Sequence, residues 1–155
     1  MRASGRRCAG NVAALFALGL NPSHAADAPN GETVFTSQCS ACHQAGGVGA
    51  PGLAPPLASD QIASIAKKNP QYLVLVTLNG LSGNISLAEQ GELNGIMPPA
   101  GASLSDDEVA AVVGYVALTL NATDTMISAD TVRMLRDKKL SAKELRAMRQ
   151  DLVKP

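Results

Sequence analysis

Five consecutive residues, "CSACH" from Cys39 to His43, hold two of the chain's three cysteines and one of its two histidines. Two thiols three residues apart, followed at once by an imidazole, form the C-x-x-C-H pattern of covalent haem attachment. The chemistry uses each residue type. Positions i and i+3 of a helix share one side, so both sulfurs can grip one edge of a porphyrin as thioethers. The next residue, His43, can turn a ring nitrogen to the iron. Three other readings compete. A cysteine pair in an exported protein is commonly a disulfide. A structural zinc site needs four ligands, and only three Cys and His ligands remain once the N-terminus is removed. A thioredoxin-like site needs a βαβ setting that this sequence does not offer.

The N-terminus bears on this count. Arg2, Arg6 and Arg7 make a basic start, residues 12–20 are apolar, and Ser23 and Ala25 place small residues where a signal peptidase reads. The pattern predicts a secretory signal over residues 1–25, cut before Ala26. The apolar run is about half of the ~20 residues that a bilayer span needs, and an uncleaved anchor is the alternative. Arg6–Arg7 as a twin-arginine signal gains nothing from the "CAGN" that follows. Cleavage removes Cys8 and His24, leaving Cys39, Cys42 and His43.

Haem iron has one axial place on each face. With His24 gone, no second histidine exists, and a thioether is the expected partner. The candidates are Met97, Met126, Met134 and Met148. Met97 stands in "GIMPPAG", where Pro98 and Pro99 stiffen the path and can hold a sulfur with little entropy to lose. The other three lie in helical or tail segments with apolar neighbours. An open or water-filled position is the alternative to Met97.

The surrounding elements must position these groups. The chain has 155 residues, enough for one domain and an extension; it is 46% hydrophobic, only 3% aromatic and has no Trp. A core so poor in rings is small or built around something that is not an amino acid. Asn30 caps a helix that runs toward the cysteines. Residues 45–60, rich in Gly and Pro, read as a loop wrapped on a surface. A short helix is expected at 61–68. The next runs from Asn69 as cap and Pro70 as first position to Gly80 as stop. Residues 81–103 read as a long loop. Ser105 and Glu108 form a capping box, and Val109, Val112, Val113, Val116 and Leu120 give one apolar face over 105–120. Two short helices are expected in the tail, at 129–137 and 142–152, the second with a box of Ser141 and Glu144.

"CSACH", "GIMPP" and a final amphipathic helix, in this order, resemble a class I c-type cytochrome over roughly residues 29–121. Gly31 and Phe35 resemble the Gly-x-x-x-aromatic pair of that family's first helix, and Tyr115 with Val112 the face of the last helix that crosses it. Pro55 falls where the family has a proline whose carbonyl accepts from the proximal histidine, a bond that orients the ring and raises its basicity. "NGLSG" and "LSDDEVAAVVGYV" resemble small bacterial cytochromes that serve periplasmic dehydrogenases. With no Trp, the haem propionate contact is unassigned, Tyr72 being the candidate.

The resemblance implies an all-α fold, three to five helices wrapped around one covalent haem c with its iron, plus a C-terminal helical extension. The expected divisions are signal 1–25, haem domain 26–121 and extension 122–155. The expected site is Cys39 and Cys42 as thioethers, His43 and Met97 as proximal and distal iron ligands, and Pro55 behind His43. The expected function is single-electron transfer in the periplasm, accepting from a dehydrogenase and passing to another cytochrome or an oxidase. A haem enzyme or gas sensor with a labile sixth ligand is the alternative; a subunit that merely packs leaves the haem unexplained. Residues 123–155 carry eight bases and five acids, net +3, against net −6 over 26–122. The tail either packs on the body as a clasp or steers docking. The mature net of −3 disfavours nucleic acid.

Overall fold

The computed structural model describes residues 28–88 and 90–154; the signal reading of 1–25, with Cys8 and His24, lies outside them. Among the described residues the α-helices run α1 Gly31–Gln38, α2 Ser40–His43, α3 Asp60–Lys68, α4 Gln71–Asn79, α5 Asp106–Gly114, α6 Ala129–Arg136 and α7 Ala142–Val153. A 3₁₀ turn spans Ala45–Gly47, and Tyr115–Leu120 continues α5 as a π-helical stretch.

The all-α expectation is corrected. Strands β1 Leu81–Leu87 and β2 Gly91–Met97 pair antiparallel, Leu81 opposite Met97 and Leu87 opposite Gly91. Most of the stretch expected as loop is therefore a hairpin. Its ladder satisfies the backbone polar groups, while Ile85, Leu87 and Leu93 form a small apolar cluster with Leu81. Helices α1 to α5 lie within residues 26–121, and α6 and α7 lie in the extension.

The helices start where the sequence marks them. Both capping boxes are formed: Ser105 and Ser141 accept from the backbone of Glu108 and Glu144, whose carboxylates accept in return. One cap differs. Asn69 ends α3 rather than starting α4, and Pro70 precedes α4 with no side-chain bond. Gly80, at φ 74°, ends α4 as expected.

α1 crosses α5 closely. A Cβ on Gly31 would collide with the Ala111 carbonyl and stand 2.8 Å from Tyr115 Cβ. The Phe35 and Tyr115 rings pack there, 5.4 Å between centroids. The tail shares this core, burying Val132, Leu135 and Leu145 with residues of α3, α4 and α5. Polar bonds join the tail to the body from both sides. Arg136 bonds Asp106 at 2.6 Å and also the carbonyls of Gly101 and Leu104. Arg146 donates to Ser82 O, and Lys68 Nζ donates to the carbonyls of Leu152 and Lys154.

Candidate functional site

Asn30 caps α1 by accepting from Thr33 N at 3.0 Å. The helical path carries through the thiols: Cys39 N donates to Phe35 O and His43 N to Cys39 O, each at 2.9 Å. Cys39 is half-buried, Cys42 is exposed, and neither forms a disulfide. Burial, with Cys42 nearby, pushes the Cys39 thiol pKa up. Among the described residues no three His, Cys, Asp or Glu side chains gather as metal ligands.

After His43 the chain turns sharply at Gln44, φ 61°. Scattered backbone bonds then shape the loop 44–59. Gly49 N donates to His43 O at 2.9 Å, and the amides of Leu57 and Ala58 both donate to Gly47 O. Asn121 ties the far end: its Oδ1 accepts from Ser59 N at 3.0 Å, while its Nδ2 donates to Leu57 O at 2.7 Å and Val116 O at 2.8 Å. The result returns Pro55 O to His43, whose Nδ1 donates to it at 2.9 Å. A carbonyl only accepts, so the Nδ1 proton is fixed and the Nε2 lone pair is left available. Burial pushes the imidazole pKa below its ordinary value, with the Pro55 bond opposing. His43 is therefore neutral at neutral pH, the form that ligates metal.

Met97 arrives from the end of β2 and is half-buried. Its segment lies flat on the end of α4. A Cβ on Gly80 would stand 2.6 Å from Met97 O and 2.8 Å from Pro99 N; one on Gly101 would stand 2.7 Å from Leu78 O. Ala100 N donates to Thr77 O at 2.9 Å. Two residues before Met97, a Cβ on Gly95 would lie 3.3 Å from Leu53 O, so the hairpin meets the loop that carries Pro55. The competing methionines are placed otherwise: Met126 and Met134 are 80% and 71% exposed, and Met148 packs against the core.

The structure thus brings Pro55 to His43 and lays the Met97 segment against the same loop. Sequence reasoning missed Asn121 and Arg149. Asn121 follows an apolar run, which marks a helix end but not a three-way brace. Arg149 is buried beside Tyr72, with nothing in an ordinary basic helix to mark it out.

Paired thiols with a neighbouring imidazole, the ring neutral and backed by a carbonyl, are the equipment of a c-type cytochrome. Residues 26–116 match the family model described as cytochrome c oxidase, cbb3-type, subunit III. The chain is 37% identical over 122 residues to cytochrome c-552 of Thermus thermophilus, covering 75% of this chain and 92% of that protein. It is equally similar to a second cytochrome c-552, from a named strain of the same species, covering 81% of that protein. The chain belongs to this family of class I c-type cytochromes. It carries covalently bound haem c with iron and is an electron-transfer protein that works with redox protein partners.

The residues fit that group. Besides two unpaired thiols and the free Nε2, apolar side chains near the site stand with little protein against them: Val48 62%, Leu53 55% and Ile96 83% exposed. A large apolar cofactor gives such side chains something to cover. Among the described residues no helix is long and apolar enough to cross a membrane.

Proposed function

We propose that this protein is an exported monohaem electron carrier in which Cys39 and Cys42 hold the haem as thioethers, and His43 and Met97 ligate the iron. The bound haem supplies one-electron Fe(III)/Fe(II) exchange. The chain's residues supply the rest. Pro55 O fixes the His43 ring and raises its basicity. Pro98 and Pro99, set against Gly80, stiffen the backbone that presents Met97. A neutral thioether favours the reduced state and raises the potential. Were His43 and Met97 both to hold the iron, no position would remain for substrate, which suits transfer rather than catalysis.

The observation that carries this reading is the 2.9 Å bond from His43 Nδ1 to Pro55 O, twelve residues on. It commits one ring nitrogen and leaves the other for iron. Residues 1–25 act as a cleaved signal in this reading, 26–121 form the haem domain and 122–155 the extension, and the mature protein works in the periplasm. The donor is a periplasmic dehydrogenase. The acceptor is another cytochrome or an oxidase, a role in keeping with the oxidase subunit named in the matched family's description. Redox encounters of this kind bury little surface and depend on steering.

The test is the visible spectrum of the mature protein, made with haem-attachment machinery and reduced with and without carbon monoxide. A covalent low-spin spectrum indifferent to carbon monoxide is expected. Rapid uptake of the gas would overturn Met97 ligation and favour an enzyme or sensor.

A further inference from the structure

The segment that carries Met97 has little of its own to hold it in place. A two-stranded hairpin is marginally stable alone, and this one buries only Ile85, Leu87 and Leu93. After Met97 the chain runs through Pro98 and Pro99, which have no backbone N–H to donate. The C-terminal extension reaches this segment from both sides. Leu140 N donates to Asn79 Oδ1 at 3.3 Å, just before the segment begins. Arg146 of α7 donates to Ser82 O, and Ser82 pairs with Ile96, the residue before Met97. The Arg146 guanidinium lies over Gly83, where a Cβ would stand 2.7 Å from its Nη1. Beyond Met97, Arg136 of α6 donates to Gly101 O, to Leu104 O at 3.0 Å and to Asp106 at 2.6 Å.

A planar fork of donors suits three acceptors at once, as an ammonium would not. Arg136 and Asp106 are both half-buried, so these charge-assisted bonds are partly shielded from water. The distribution is one-sided. The tail's other polar bonds to the body go to Gln61, Ala66, Lys68, Asp106 and Ala117. Among the described residues none goes to the loop 44–59 that backs His43. For Met97 to swing away, its segment must lift off the end of α4, where Ala100 N donates to Thr77 O. The guanidinium bonds to Gly101 O and Ser82 O oppose that movement.

We propose that Arg136 and Arg146 are positioning residues for Met97: through them the extension holds residues 80–101 from both sides and sets how readily the thioether leaves the iron. This deepens the electron-carrier reading and rests on Met97 as the distal ligand. It gives the extension a task at the distal side of the site and none at the proximal side.

The test compares the mature holoprotein with R136Q, R146Q, R133Q and S59A. Arg133 shares α6 with Arg136 and pairs with Asp106 and Asp130, but does not touch the Met97 segment. S59A removes the α3 cap, a loss of stability away from both the tail and that segment. Two quantities are read. One is the rate at which the reduced protein takes up carbon monoxide, which requires the sixth position to open. The other is amide hydrogen exchange over residues 81–101 and over 44–59. R136Q and R146Q are each expected to speed carbon monoxide uptake about tenfold, the worth of one charge-assisted bond. Each should speed exchange over 81–101 by a similar factor and leave 44–59 as in the wild type. R133Q and S59A should keep wild-type uptake. Uptake that rises in S59A as much as in R136Q would mean general loosening and overturn the proposal. So would unchanged exchange over 81–101 in both R136Q and R146Q. Should R136Q fail to fold, R146Q decides on the same two readouts. A wild type that takes up carbon monoxide at once would overturn Met97 ligation and, with it, the effect on the iron, whereas the exchange pattern tests the hold on residues 80–101 separately.

Discussion

Two arms of the molecule carry residues of the proposed site, and they are held by different means. The loop 44–59 carries Pro55 to His43 through scattered backbone bonds and the Asn121 side chain. The arm from Gly80 to Gly101 carries Met97 at the end of a regular two-stranded ladder. Yet each arm contains a glycine of positive φ backed onto its prolines. Gly49, φ 76°, would place a Cβ 2.6 Å from Pro56 N; Gly80, φ 74°, would place one 2.6 Å from Met97 O. The comparison teaches that one device, close backbone approach at a glycine, serves an irregular scaffold and a regular one alike.

The largest expected effect separates the arms by chemistry. With Met97 as the proposed ligand, M97A is expected to let the reduced protein take up carbon monoxide stoichiometrically, while M126A and M134A behave as wild type. Uptake by M126A instead would move the ligand to the tail. Next come the paired glycines. G49V and G80V each force a β-branched residue into the left-handed region and into backbone, at a cost of about 2–4 kcal/mol by denaturant unfolding. Only G80V should also raise carbon monoxide reactivity; equal reactivity in both would mean that the arms move as one. N121A tests the irregular scaffold alone. It orphans Ser59 N, Leu57 O and Val116 O, and should cost about 2 kcal/mol, with no counterpart on the hairpin side.

The smallest effect concerns acid. Ser105 holds the Glu108 carboxyl below its ordinary pKa through the capping box. A carboxylate with a depressed folded value stabilises the fold above the unfolded pKa and loses that contribution as pH falls through the folded one. The acid arm of wild-type stability should therefore be slightly steeper than that of E108Q. α5 packs on α1 next to the cysteines rather than on the hairpin, so the change should spare carbon monoxide reactivity.

Much of the proximal arm was legible in the sequence. The Asn30 cap and the capping boxes are local signals that survive into the structure, whereas the Asn69 cap does not. Pro55 was placed by resemblance and is found bonded to His43. The hairpin was not legible. Its strands "LSGNISL" and "GELNGIM" bury only Ile85, Leu87 and Leu93, and residues 88–90 contain no Asn-Gly or Asp-Gly turn. Glycine and asparagine among so few apolar residues read as a loop. Asn121 and Arg149 escaped notice for another reason. Their partners, Ser59 and Gln61, lie 62 and 88 residues away, and only the folded chain brings them together.

The crossing at Gly31 also sets the order in which the chain can close. α1 has eight residues, too few to persist alone, and its partner α5 begins about seventy residues later. Closing so long a loop delays the contacts that reward it. During synthesis, the segment bearing Cys39 and Cys42 therefore stays open until α5 has been made, and the thiols remain accessible for as long as that helix is missing.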